Sequence, residues 1–254
     1  ILTLKTEELS GFEALMRWRH RDLGLISPGE FIPLAEEIGL INELGEYALK
    51  EACRQMRSWI ETYPHAAELT MNINVSSHQL ETEHFLTTLD DTLHQTRLPP
   101  DNLKLEVTET SLIKNTQSSR DSLSQLKERD VRISLDDFGT GYSSLSYLIK
   151  FPVDTLKIDR SFISTMEHNQ SSLEVVRTVI SLARTLGMVV VAEGLEDVSQ
   201  GWVLKDLGCD LVQGYLFSKP LSAEKATDYI QLPRHSILSI DLADNSLQLI
   251  AKGA

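Results

Sequence analysis

The sequence predicts an α/β protein, and within that class a parallel (β/α)8 barrel. Three observations carry this. Short apolar runs alternate with longer amphipathic ones from residue 1 to about 232, the pattern of repeated strand–helix units. Those units supply about eight strands, and a (β/α)8 barrel typically needs about 250 residues, close to the 254 present. Finally, nearly every predicted strand carries an isolated polar residue among Phe, Leu, Ile or Val, where a parallel strand covered on both sides should be continuously apolar.

In chain order, Ile1–Leu4 reads as a strand and Gly11–Trp18 (GFEALMRW) as a second. Ser27-Pro28 opens a helix, with Pro near the first helical position, and a further helix covers Asn42–Glu61. Leu69–Ser76 (LTMNINVS) is a strand, His78–Gln95 a helix, Leu103–Thr110 (LKLEVTET) a strand and Thr116–Arg129 a helix. Val131, Ile133 and Leu135 alternate as in a strand that ends at Asp136 and Asp137, followed by a loop with two glycines. Thr155–Ile163, Met188–Leu195 and Leu211–Ser218 read as strands; Ser171–Leu186, Val198–Leu207 and Ala223–Ile230 read as helices. Residues 233–254 break the rhythm: SILSIDLADNSLQLIAK has the strand, Asp-Asn turn and strand of a hairpin-like appendage. The expected division is therefore a barrel over 1–232 and an appendage over 233–254.

Bulk composition narrows the function. The net charge is −13, with 37 Asp and Glu against 24 Lys and Arg, which opposes a nucleic-acid polymer as partner. It leaves room for a small anion if metal ions reverse the local sign. Two cysteines, Cys53 and Cys209, make no disulfide scaffold and suit a reducing, cytoplasmic setting. No apolar run approaches the ~20 residues of a membrane span, so no membrane contact is expected of this segment. The chain opens on Ile1 almost inside a strand, as expected of a fragment of a longer protein, whose parent could itself be membrane-anchored.

The isolated polar residues are Glu13, Asn74, Glu106, Asp136, Lys157 with Asp159, Glu193 and Gln213. In a parallel barrel, strand ends converge at one mouth, where active sites lie. Taken singly, Asp136-Asp137 fits a helix cap with a spare surface acid as well as a metal site. Taken together, the residues form a hard oxygen-ligand set with one fixed cation, which selects Mg2+ or Mn2+ and admits Ca2+, over Zn2+. Two such ions could activate water for in-line attack on a phosphodiester. The competing reading is an ion-pair network in the barrel mouth, which must then offset the cost of several buried acids. Gly139–Ser144 nearly matches a dinucleotide-binding fingerprint, but a pyrophosphate would sit beside two carboxylates and the third glycine is missing; it reads better as a loop closing over the site. Trp59 and Trp202 fall on helical patterns and read as packing, as do Met71 and Met188 near strands; Glu36-Glu37 reads as a solvated face, and His78, His84 and His94 as surface positions on helices.

The motifs GFEALMRW, NINVSSHQL, LEVTET, DDFGTGYSSLSYL, LKIDRSFI, VVAEGLED and QGYLFSKP together resemble the EAL-domain cyclic di-GMP phosphodiesterases over about residues 1–232. The resemblance implies a modified TIM barrel with one early strand antiparallel. It also implies hydrolysis of cyclic di-GMP to linear 5′-pGpG with two Mg2+ or Mn2+ ions, Ca2+ binding and inhibiting. By motif, Glu13, Asn74, Glu106 and Asp136 would hold the first metal, and Asp136, Asp137 and Asp159 the second. Lys157 would hold the attacking water, and Glu193 would be the general base or a water-mediated metal partner. Arg17 would meet a substrate phosphate, and Gln213 the metal water or substrate. Glu109 and Glu196 would be supporting anchors, Glu109 steadying the loop that contains Gly139, Thr140 and Gly141. The family pattern has a Gln-Pro before the position of Ile1 that this sequence does not include. The resemblance further implies a homodimer and fusion to sensory or GGDEF domains. The alternatives are a non-catalytic cyclic di-GMP receptor and an enzyme acting on another phosphodiester.

Overall fold

The computed structural model describes residues 1–80, 82–114, 116–140, 148–231, 239–240 and 247–248. The chain lays down β1 (Leu2–Thr3), β2 (Gly11–Ala14), β3 (Trp18–His20), β4 (Gly24–Ile26), α1 (Pro28–Glu37), α2 (Ile41–Thr62), β5 (Thr70–Asn74), α3 (Ser77–Leu80) and α4 (Glu83–Thr96). There follow β6 (Leu103–Thr108), α5 (Glu109–Lys114), α6 (Thr116–Lys127), β7 (Arg132–Phe138), β8 (Thr155–Ile158), α7 (Arg160–Ile163), α8 (Gln170–Leu186) and β9 (Val189–Glu193). The last elements are α9 (Val198–Leu207), β10 (Leu211–Gln213), α10 (Ala223–Gln231), β11 (Ser239–Ile240) and β12 (Leu247–Gln248).

Eight strands form one sheet in the order β1-β10-β9-β8-β7-β6-β5-β2. All neighbours are parallel except β1, which lies antiparallel on β10 with Leu2 opposite Val212. The two ends of the sheet meet where Ser10 and Gly11 donate backbone N–H groups to the Ile1 carbonyl, at 2.9 and 3.4 Å. The result is a nearly closed barrel with one early antiparallel strand, as the resemblance implies.

Alternation along the strands sorts side chains between two environments. Leu103, Leu105 and Val107 of β6, Ile133 and Leu135 of β7, and Leu156 and Ile158 of β8 are buried in the apolar core, as are Leu89 of α4, Leu123 and Leu126 of α6, and Val176 and Ile180 of α8. The intervening residues face the barrel interior. Lys104 of β6 reaches Thr155 of β8 at 3.1 Å, and Glu106 meets Lys157 at 2.7 Å. Since β7 separates those two strands, both contacts cross the lumen. Caps fix the helix starts: Ser27 accepts from Gly29 N–H, and the Asn169 side chain accepts from Ser171 and Ser172 N–H. Gly187 and Gly208 end α8 and α9 at φ +73° and +77°.

Several strands stop earlier than the sequence pattern suggests. The expected strand Gly11–Trp18 ends at Ala14, and Trp18 instead begins a separate hairpin, β3–β4. Trp18 there packs edge-on to Phe31 of α1 at 5.9 Å. Leu103–Thr110 stops at Thr108 because Glu109 opens α5, and Thr155–Ile163 stops at Ile158 because Asp159 caps α7. Likewise β9 ends at Glu193 and β10 at Gln213. The helix expected over His78–Gln95 is two, with Thr82 capping the second. Conversely β7 does not end at the two aspartates but runs through them to Phe138. The β11 and β12 strands pair antiparallel, Ser239 opposite Gln248, as in a hairpin; the residues between them lie outside those described.

Gly11 sits at the closure, where a Cβ would collide with the carbonyl and hydroxyl of Thr70. Gly11→Ala should therefore cost about 1–3 kcal/mol in urea unfolding; unchanged stability would show that β2 and β5 can separate to accept a side chain.

Candidate active site

The carboxyl-terminal ends of the strands bring charge together at one mouth. β8 projects Lys157 into the barrel, where it is 1% exposed. Its Nζ lies 2.6 Å from Glu193 Oε1 (β9), 2.7 Å from Glu106 Oε2 (β6), 3.3 Å from Asp136 Oδ2 (β7) and 3.9 Å from Glu13 Oε2 (β2). Amides complete the layer. Asn74 of β5 and Gln213 of β10 each donate to Glu13, at 2.8 and 2.6 Å. Asn72 of β5 donates to Glu106 Oε1 at 2.8 Å. Glu13, Asn74, Glu106, Asp136, Lys157, Glu193 and Gln213 thus form one network.

Asp137 and Asp159 stand at its rim. Asp137 has φ +55°, and the β7–β8 register shifts between Leu135 and Phe138. This bulge aims consecutive aspartates differently, and Asp is among the few residues that tolerate the left-handed region. Asp137 N–H donates to Asp136 Oδ1 at 2.9 Å, and Thr140 Oγ1 to the Asp137 carbonyl at 2.8 Å. Asp159 accepts from Ser161 N–H at 3.0 Å and from its hydroxyl. Gly139 N–H donates to Glu109 Oε2 at 3.1 Å; Gly141 lies outside the described residues. Glu196 pairs with Arg160 at 3.0 Å and is not in the central network. Arg17 is exposed and also stands apart; with Glu13 and Gln213 it lines a cavity of about 530 Å3 beside the mouth.

One ammonium among four carboxylates leaves a surplus of negative charge, and the protonation of the acids reflects it. Burial pushes Glu106 up to about 7, opposed by Lys157 and reinforced by Glu13 and Asp136. Burial pushes Glu193 up to about 8 against the same lysine. Burial also works to raise Glu13, but Lys157 and the amides of Gln213 and Asn74 outweigh it and the carboxyl falls below its usual range. Burial pulls Lys157 down; the acids around it more than offset this and hold it well above the usual lysine range. Asp137 is raised by burial, then by Asp136 and Asp159.

Among the described residues no three His, Cys, Asp or Glu side chains form a ready cation cage; the acids surround Lys157 instead. The donor chemistry nevertheless fits a hard cation: carboxylates in excess of the local positive charge, amide oxygens beside them, and no thiol or imidazole. Gln213 Oε1 adds to this, being buried with no hydrogen-bond partner among the described residues.

Two contacts escaped the sequence reading. Asn72 is wholly buried, two residues before Asn74 on the same strand face, and strand periodicity alone could have flagged it. Glu36, expected on a solvated face, accepts from the Ser76 hydroxyl at 2.5 Å and so ties α1 to the turn after Asn74. The packing roles expected of Trp59 and Met71 hold, at 4% and 3% exposure.

Fold and site together define an α/β barrel with an acid-rich mouth organised about a buried lysine. The EAL domain family model matches residues 1–220, and the chain belongs to the EAL-domain family. It is 43% identical over 215 residues to the bifunctional diguanylate cyclase/cyclic di-GMP phosphodiesterase MucR of Pseudomonas aeruginosa, covering 85% of this chain and 31% of that protein. It is 40% identical over 228 residues to the signaling protein YkoW of Bacillus subtilis, covering 90% of this chain and 28% of that one. The chain therefore spans less than a third of the length of these two relatives. The solved structure of PaMucR phosphodiesterase in a c-di-GMP complex superposes with a TM-score of 0.85 at 41% identity, covering 89% of this chain and 90% of that one. No helix among the described residues is long and apolar enough to cross a membrane.

A pH dependence of stability follows from the two raised acids. In EDTA, the folded chain keeps protons on Glu106 and Glu193 that the unfolded chain releases above the ordinary value of 4.5. The folded state thus binds more protons on these acids, and their contribution to stability falls as pH rises from about 4.5 toward 8, opposed only in part between about 6 and 8 by the Ile1 amine, which burial lowers to about 6. Thermal unfolding should give a lower Tm at pH 8 than at pH 5.5, with a smaller difference in Glu193→Gln; a Tm that rises across this range would contradict the assignment.

Proposed function

We propose that this chain is a divalent-metal-dependent phosphodiesterase that opens cyclic di-GMP to linear 5′-pGpG. The observation that carries the reading is the Lys157 network, in which Glu106, Glu193, Asp136 and Glu13 from four different strands share one buried ammonium. The c-di-GMP complex of the PaMucR phosphodiesterase, matched over most of both chains, supports the substrate. Glu13, Asn74, Glu106 and Asp136 would hold one Mg2+ or Mn2+, and Asp136, Asp137 and Asp159 a second. When bound, such ions stabilise charge on a phosphoryl oxygen and make water nucleophilic near neutral pH.

The chain's own residues divide the remaining work. Glu193 accepts the proton of the attacking water as a new P–O bond forms. The P–O3′ bond breaks and the released 3′ oxygen takes a proton from solvent water, while Glu193 returns its proton to solvent, leaving the 5′ phosphate on the linear product. Lys157, at 2.6 Å from Glu193, holds that carboxylate in place and positions the water. Arg17 meets a substrate phosphate from the cavity wall, and Gln213 offers its unpartnered oxygen to water or substrate. Glu109 and Glu196 support the rim, Glu109 through the Gly139 N–H. The chain acts as the catalytic module of a longer cytoplasmic signalling protein, and as a homodimer.

Incubation with cyclic di-GMP and Mg2+ or Mn2+ should yield pGpG. Glu193→Gln should lower kcat by about 10²–10⁴-fold, the usual worth of a general base, while retaining Mn2+ binding. Tight cyclic di-GMP binding without turnover over hours, with metal present, would overturn the enzyme reading in favour of a receptor.

A further inference from the structure

The geometry points to Asn72 as a positioning residue that fixes the carboxylate of Glu106 for metal binding, an inference that rests on the phosphodiesterase reading. Asn72 opens the NINVSSHQL motif but has no role assigned above, yet it is 0% exposed and makes a direct contact to the acid layer. Its Nδ2 donates to Glu106 Oε1 at 2.8 Å, while Lys157 Nζ donates to Oε2 at 2.7 Å. Each Glu106 oxygen thus has its own donor from a different strand. The two donors lie on opposite sides, β5 and β8, so rotation of the carboxylate would break both contacts together.

The amide is itself held. The Thr70 hydroxyl, two residues earlier on β5, donates to Asn72 Oδ1 at 3.3 Å, which leaves Nδ2 to face Glu106. Thr70 in turn packs against Gly11, where any side chain would collide with it. A chain of contacts therefore runs from the barrel closure through Thr70 and Asn72 to Glu106. An aliphatic side chain at 72 would preserve the packing volume but leave Oε1 buried without a donor. The carboxylate would then turn toward Lys157 alone, away from the orientation shared with Glu13 and Asp136. Outer contacts that orient a metal-binding carboxylate typically govern metal affinity by about 10–100-fold.

The test measures Mn2+ binding by electron paramagnetic resonance in the wild-type chain, Asn72→Leu and Asn72→Ser, alongside thermal unfolding and cyclic di-GMP kinetics. Leucine matches the size of Asn72 without its donor; serine keeps a hydroxyl too short to reach Glu106. The expected result is about 10–100-fold weaker Mn2+ binding in the folded variants, and a higher Mn2+ requirement for turnover, with KM for cyclic di-GMP unchanged. If the leucine variant fails to fold, the serine variant decides between the outcomes. Wild-type Mn2+ affinity in a folded variant overturns the role of Asn72 while leaving the phosphodiesterase reading intact. A wild-type chain that neither binds Mn2+ nor turns over substrate overturns that reading, and the role of Asn72 with it.

Discussion

The buried ammonium of Lys157 is the constraint on which the mouth of this barrel depends. Taking a charge out of water costs several kcal/mol even after relaxation, and here one lysine and several acids leave water together. The lysine is held because acids surround it on all sides; the acids are tolerated because it stands among them. The compensation is incomplete, and Glu106 and Glu193 rise to about 7 and 8 as burial outweighs the one available counter-charge. An isolated structural ion pair would gain nothing from such a surplus. Further positive charge at the mouth would relieve it.

The barrel makes this arrangement possible by geometry. Parallel strands aim alternate residues inward at the same level, so β2, β6, β7, β8 and β9 each place one side chain in the layer without any loop having to fold back. Where the strand period alone would not serve, the backbone departs from it. The bulge in β7 lets Asp136 face Lys157 while Asp137, left-handed at φ +55°, turns to the rim beside Asp159. Glu109 and Thr140 then tie the start of the following loop to this bulge, Glu109 through Gly139 N–H and Thr140 through the Asp137 carbonyl.

The barrel and its acid layer were legible because charges interrupting apolar strands are rare and conspicuous: Glu106 within LKLEV and Lys157 within TLKI stand out against their neighbours. The strand at Ile1–Leu4 was legible from its residues, but the antiparallel direction of an early strand came only through the family resemblance, since so short a run carries no sign of direction. Strand ends were less legible. Apolar residues continue past the mouth into loops and helix starts, so Leu15–Trp18 and Phe162-Ile163 read as strand although Ala14 and Ile158 end the ladders. Asn72 lay within reach of strand periodicity, two residues before Asn74 on the same face, but its partner Glu106 emerges only from the fold. Glu36 was hidden, since adjacent glutamates on a helix ordinarily face solvent, and only the fold brings Ser76 to it.

We propose that the surplus negative charge around Lys157 receives divalent cations. Calorimetric titration of the wild-type chain with Mn2+, in buffers of differing ionisation enthalpy, measures this. Because Glu106 and Glu193 hold protons near neutral pH, binding at pH 6.5 should release protons, and the release should fade by pH 9. Absence of Mn2+ binding, or binding with no proton release at pH 6.5, would show that the acids around Lys157 do not serve as a cation site.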